Sequence, residues 1–367
     1  MSGGPGSGAG PGDREPIRFP IEPRREPPPA GPPWPGIPGP PGPPGSGIVG
    51  IEERPARGLQ IAAWLLAVVG VGLLAVAGVA AAGASPSRPA GPGALAVLFA
   101  ALVALTASLA FGARYQVVAR ASRPEDRYRG PSPLILFGVI LFAVTLVVGA
   151  LAGVGLIAPQ SQSLGALVDV GLTTAAYLAA IWFFVVRTGV LGWPAMGWPT
   201  GIRDALGRIG GDAMAGVAMM VPTYLLTILA GGIIAALLGV ELPSALPTPR
   251  TVPDALATAI AAVVIAPIGE ESFFRGLALT AWWRDLGLRS ALLRATVFFA
   301  AVHILNVTAS SVSQGLRMAL LQFLVILPVG YVLGWLFSQR GIVASIAGHM
   351  TFNGIAVVLL LASALRR

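Results

Sequence analysis

From Leu59 to the C-terminus the chain repeats apolar runs of 18 to 25 residues, broken by short loops. A helix rises 1.5 Å per residue, so about 20 apolar residues cover the ~30 Å hydrocarbon core of a bilayer. Lipid offers no hydrogen bonds, so such a run must satisfy its own backbone N–H and C=O groups, and a helix does this within one segment. The expected fold class is all-α: a polytopic integral membrane protein of about eight to nine transmembrane helices, multi-pass in the cell membrane. Hydrophobic residues make up 55% of the chain and charged ones 11%, which leaves no material for a large soluble domain.

Nine candidate spans result, near 59–83, 93–113, 133–157, 166–186, 213–239, 254–279, 288–307, 315–337 and 342–365. The loops between them differ in charge. Arg114, Arg120, Arg123, Arg127 and Arg129 lie between the second and third spans. Arg187, Arg203 and Arg208 come after the fourth, and Arg284 and Arg289 after the sixth. Arginine accumulates on cytoplasmic loops, so these are read as cytoplasmic and the N-terminus with them. Alternate loops carry little charge: Arg88 alone in the first, none in PQSQSLGA at 159–166, and Glu241, Arg250 and Asp254 in the fifth. Nine spans leave Arg366 and Arg367 outside, the one feature at odds with this topology.

Residues 1–57 hold 17 of the 33 prolines and equal numbers of acidic and basic side chains, too little apolar surface to fold. They are expected to form a disordered Pro/Gly-rich cytoplasmic tail, ahead of N-terminal transmembrane helices over 58–240 and a catalytic set over 241–367. The first apolar segment begins only near residue 59, so no secretory signal peptide is expected.

What the chain lacks narrows its chemistry. It has no cysteine and no lysine, which removes thiol nucleophiles, thiolate metal sites, a Walker A loop, a Schiff-base lysine and a serine–lysine dyad. The net charge of +8 is spread over loop arginines rather than gathered on a soluble module, so no nucleic-acid partner is expected. The expected partners are membrane lipids and a peptide or membrane-protein substrate; the oligomeric state is not fixed by the sequence.

A charge at membrane depth costs several kcal/mol and is kept for a reason. Within the spans stand Glu270 and Glu271 in the stretch IGEESFFRG, His303, His349 and Asn353. The two histidines are the only ones in the chain. Asp169, Arg294, Arg317 and Asn306 lie near span ends, where reach to the interface explains them. Glu271 and Arg275 are four apart and can pair on one helix face, while Glu270 points about 100° away toward a different partner. His349 and Asn353 share a stripe, and Phe299 sits one turn before His303. Counted from the cytoplasmic span ends, Glu270 is about 14 Å deep, His303 about 21 Å, His349 about 12 Å and Asn353 about 18 Å. One layer in the cytoplasmic half holds all four, with Gly276, Gly348 and Gly354 allowing close helix approach.

Two acids, two imidazoles and an amide in a semi-enclosed pocket suit hydrolysis of a peptide bond. A desolvated glutamate can take and return a proton, a histidine can help hold the water, and imidazole and amide N–H groups can receive the oxyanion. Glutamate and histidine are also zinc ligands, although the chain has no H-E-x-x-H helix. A non-catalytic immunity or scaffold protein that keeps the pocket for binding is the third reading.

E-E-x-x-x-R (Glu270, Glu271, Arg275), F-x-x-x-H (Phe299, His303) and H-x-x-x-N (His349, Asn353), in this order over residues 254–360, resemble the signature of the CAAX-protease and bacteriocin-processing (CPBP) family, with its Ras-converting-type CAAX endopeptidases. The resemblance implies an intramembrane glutamate-type protease of about eight helices with a cavity open to the cytosol. By carry-over, Glu270 and His303 activate water, His349 and Asn353 hold the oxyanion, and Glu271 and Arg275 assist. No cofactor is implied, with a zinc-dependent peptidase as the alternative. The long tail departs from the eukaryotic members and leaves the CAAX substrate open.

Overall fold

The computed structural model describes residues 53–81, 91–155, 162–241, 249 and 251–364. Nearly all of the expected tail, Arg88, Arg250, Arg366 and Arg367 therefore lie outside the described residues. Among the described residues there are helices and no strands, and nine helical segments are long and apolar enough to cross a membrane. They are α1 (Glu53–Ala81), α2 (Pro92–Ala119), α3 (Pro133–Gly153), α4 (Gln162–Ile181, continued by a π-turn to Val186), α5 (Ile202–Leu238), α6 (Val252–Leu286), α7 (Leu288–His303, with a 3-10 turn to Asn306), α8 (Val312–Arg340) and α9 (Ile342–Ala364). The chain is an all-α, multi-pass membrane protein.

Local chemistry sets the boundaries. Prolines at the first turns of α2 and α3 sit where an N–H has no helical partner to lose. Thr251 and Ser311 cap α6 and α8 by accepting hydrogen bonds from the backbone N–H of Asp254 and Gln314. Two single-residue hinges, Gly287 (φ 78°) and Gly341 (φ 87°), turn α6 into α7 and α8 into α9 in backbone conformations that a side chain would strain. The spans are longer than the sequence predicts at several ends: α5 begins at Ile202 rather than 213, and α6 continues through Trp282 and Trp283 to Leu286 rather than stopping at 279. Glu270 thus lies 16 residues, about 24 Å, from that end of its helix instead of about 14 Å.

The long α6 is not one regular helix. It passes through π-turns at Ile260–Ile265 and Ser272–Leu279, with an α-helical stretch, Ala266–Glu271, between them. In the first π-turn the Ala266 N–H donates to the Ala261 carbonyl, five residues back. The next residue is Pro267, which has no N–H to offer Ala262, and the orphaned carbonyl is taken by the Asn353 side chain at 2.8 Å. All eight residues from Ser272 to Leu279 are buried, so α6 forms the centre of the bundle, against α4, α7 and α9.

Small residues let the helices meet. A Cβ on Gly269 would come within 2.6 Å of Thr174 Oγ1 on α4, and one on Gly216 of α5 within 2.6 Å of the α9 backbone at Ala344 and Gly348. Phe273, Phe274, Phe299 and Tyr177 form the main core with Tyr128 and Met196. The loop after α2 is fastened to the end of α6: Asp285 accepts from the Tyr128 N–H at 3.1 Å, and its carbonyl from Arg127 at 2.7 Å. Burial of the Tyr128 ring in this loop pushes its phenol above the ordinary range.

Candidate active site

The adjacent glutamates diverge as their helical offset requires. Glu271 is fully buried, and its Oε1 accepts from Arg275 Nη1 at 2.8 Å and from His349 Nδ1 at 2.8 Å. Its Oε2 accepts from the Ser345 hydroxyl. Arg275, equally buried, also donates to the Gly330 carbonyl at 3.2 Å and stacks over the Phe299 ring at 4.1 Å. The ion pair is thus enclosed with its donors and acceptors engaged, the condition under which a buried pair is tolerated.

Glu270 faces the other way. Its Oε2 lies 3.9 Å from His303 Nε2 and 4.0 Å from His349 Nε2. That oxygen is itself buried and has no hydrogen-bond partner among the described residues. Both imidazoles are oriented from behind. His303 Nδ1 donates to the Phe299 carbonyl one turn earlier at 2.8 Å, and His349 Nδ1 donates to Glu271. A carbonyl or carboxylate oxygen only accepts, so each Nδ1 carries a proton and each ring turns its Nε2 toward Glu270. Phe299 is the shared wedge, with its ring centroid 4.4 Å from that of His303 and 6.0 Å from that of His349. The F-x-x-x-H spacing therefore supplies both the carbonyl and the ring that fix the histidine.

Asn353 sits one turn beyond His349 on α9, with its amide anchored on Ala262 by the π-turn of α6. The structure brings Glu270, His303 and His349 together and groups Glu271 with Arg275. Of the glycines expected to allow close approach, a Cβ on Gly348 would meet Met220 at 2.9 Å, whereas one on Gly354 meets only ordinary contact at 3.8 Å.

Beside Glu270 lies a cavity of about 580 Å³ between α3, α4, α6 and the end of α7. Ile140, Tyr177 and Phe274 at its floor are buried. Thr145, Asp169, Leu305 and Asn306 at its mouth are exposed. Asp169 and Asn306, attributed from sequence to interfacial reach, thus belong to the wall of the cavity that holds Glu270. Ser345 is a further residue that the sequence did not single out. Its signal was one more helical turn, since Ser345, His349 and Asn353 are spaced by four.

Among the described residues no three histidine, aspartate or glutamate side chains form a group able to hold a metal ion. Residues 252–355 match the family described as Type II CAAX prenyl endopeptidase Rce1-like. The matched stretch runs from the start of α6 into α9 and contains all three motifs. No curated protein and no solved structure matches the chain.

Proposed function

We propose that the Rce1-like region is an endopeptidase that hydrolyses a peptide bond inside the membrane, with Glu270 as the base. The observation that carries this reading is the unpartnered Glu270 oxygen, about one water molecule away from the Nε2 atoms of both histidines. Separations of 3.9 and 4.0 Å are too long for direct hydrogen bonds and suit a bridging water. A water there donates one hydrogen to Glu270 and the other to His303 Nε2, leaving an oxygen lone pair for the carbonyl carbon of the substrate. As its C–O bond forms, the proton passes to Glu270.

The negative charge that develops on the carbonyl oxygen needs N–H donors. Asn353 has a second amide hydrogen beyond the one held by Ala262. His349 Nε2 becomes a donor when it takes the proton gathered by Glu270, with Glu271 at its Nδ1 as the counter-ion. The same proton then goes to the leaving amine as the C–N bond breaks. Glu271, Arg275 and Ser345 act through His349 and are positioning residues.

Glu270→Gln keeps the shape but not the base, so turnover on a susceptible peptide should fall by about 10² to 10⁴ with binding retained. Unchanged turnover would remove the proposal. Prenylated and unprenylated peptides assayed side by side identify the substrate class.

One observation favours a second reading. Both Nδ1 hydrogens are held by oxygen acceptors while both Nε2 atoms face one carboxylate, the outer-sphere arrangement of zinc-bound histidines. Glu270, His303 and His349 would have to draw closer than they stand here to hold the ion, which would supply an activated water as nucleophile. Activity abolished by a chelator and restored by Zn²⁺ establishes the zinc version; activity that survives chelation and vanishes in Glu270→Gln establishes the metal-free one.

A further inference from the structure

We propose that Thr174 of α4 is a positioning residue for Glu270: its hydroxyl, seated in the notch at Gly269, holds the turn of α6 that aims the carboxylate at the two histidines. The placement stands on geometry alone, and its consequence for turnover rests on the peptidase reading above.

The direction in which Glu270 points is set before the chain reaches it. The π-turn Ile260–Ile265 ends just ahead of the α-helical stretch Ala266–Glu271, which carries the glutamate. A π-turn holds one residue more than an α-turn. At 3.6 residues per turn, closing it to α-form would swing Glu270 by about 100° around the helix relative to Ala262, the same angle that separates neighbouring residues. Glu270 therefore meets His303 and His349 only while this turn keeps its register.

Two carbonyls of the turn are held by side chains from two other helices. The Asn353 amide of α9 donates to Ala262 at 2.8 Å, and the Thr174 hydroxyl of α4 donates to Ile265, the last residue of the turn, at 3.1 Å. The second bond is unlike those of other helix threonines in this chain. Thr106, Thr145, Thr223 and Thr351 each donate to the carbonyl four residues back in their own helix, the ordinary habit of a threonine there. Thr174 reaches across to α6 instead.

The missing side chain of Gly269 makes that reach possible. A Cβ at this position would stand 2.6 Å from Thr174 Oγ1 and 3.0 Å from its Cα and Cβ, so α4 seats directly against the residue before Glu270. One turn along α4, Tyr177 is buried with its ring centroid 4.8 Å from that of Phe273, three residues after Glu270. Helix α4 thus holds α6 both before and after the glutamate, although it lies outside the matched residues 252–355.

Thr174→Val keeps the shape and loses the donor, whereas Thr174→Ser keeps the donor. In the purified full chain Thr174→Val should lower kcat about 10-fold with KM within about two-fold, and Thr174→Ser should recover most of the loss. In a Glu270→Gln background Thr174→Val should cost nothing further, because no base remains to be aimed. Thr174 also lines the cavity, so an effect confined to KM would mark a substrate contact and overturn the proposal. Equal losses in the valine and serine variants, or a further 10-fold loss on top of Glu270→Gln, would overturn it too. The chain has no cysteine, so Glu270→Cys presents a single thiol whose reaction with methyl methanethiosulfonate can be followed by mass. Adding Thr174→Val should slow that reaction several-fold and adding Thr174→Ser should not; equal rates in all three chains sink the idea. Thr174→Ala serves if the valine variant does not fold. The thiol reaction does not depend on turnover, so an inactive wild type whose residue 270 still answers to Thr174 would remove the peptidase reading and leave this one standing.

Discussion

Two carboxylates one residue apart in α6 sit in opposite surroundings. Glu271 is ringed by Arg275, His349 and Ser345, whereas the Oε2 of Glu270 has no hydrogen-bond partner among the described residues. Removing the charge of Glu271 leaves the Arg275 guanidinium uncompensated in the bundle, a change that costs about 3–5 kcal/mol. Glu271→Gln should therefore lower the melting temperature in detergent by many degrees, while Glu270→Gln leaves it near the wild-type value. Equal melting temperatures would show that the Glu271 network is not what holds α6 to α9. Glu270 and both histidines were legible as candidates in the sequence because ionisable groups at membrane depth are scarce. Ser345 and Asp169 were not, because a serine is unremarkable in a transmembrane helix and an aspartate near a span end has a ready interfacial explanation. Only the packing of α9 on α6, and of α4 beside α3, places them at the site.

At the scale of elements, the sequence showed the nine spans through their apolar length, and it placed each motif on the helix that carries it. It did not show that α6 leaves regular α-geometry twice. Hydropathy is blind to a π-turn, and Pro267 alone signals a break without saying how the freed carbonyl is satisfied. The arrangement has a consequence for Asn353, whose anchor on Ala262 exists because residue 267 lacks an N–H. Pro267→Ala supplies an N–H that, in the five-residue register of the π-turn, can donate to the Ala262 carbonyl in place of Asn353. The variant should melt no lower than the wild type yet turn over substrate more slowly, because the carbonyl that orients Asn353 is now shared or displaced. Unaltered turnover, with thermal unfolding and kinetics measured on the same preparation, would show that this anchor does not serve the reaction.

Over the whole molecule, the parts that hold the site are unevenly distributed along the chain. The match over residues 252–355 covers α6, α7, α8 and the start of α9, and the cavity wall adds α3 and α4. By contrast α1 packs chiefly on α2, through close approach at Gly70 and the Ser108 hydroxyl, which donates to the Ala63 carbonyl at 2.8 Å. Its remaining surface, including Trp64, Leu65 and Val68, is exposed, as suits a helix facing lipid, where apolar side chains lose nothing by remaining outside the bundle. Removing residues 1–90 takes away α1 and the proline-rich segment before it, but keeps the loop with Arg120, Arg123, Arg127 and Arg129, whose charge is expected to hold it in the cytoplasm. The shortened protein should insert with that loop still cytoplasmic, retain peptidase activity within a few-fold, and lose stability only to the extent that α2 exposes its former α1 face to lipid. Activity, and labelling of Ser122→Cys in that loop by a membrane-impermeant maleimide, measured together in the truncated chain, check both halves. An inactive but correctly inserted protein would show that α1 reaches the site through α2 and α3, and a reversed one that the first helix, rather than the arginine loop, sets the orientation.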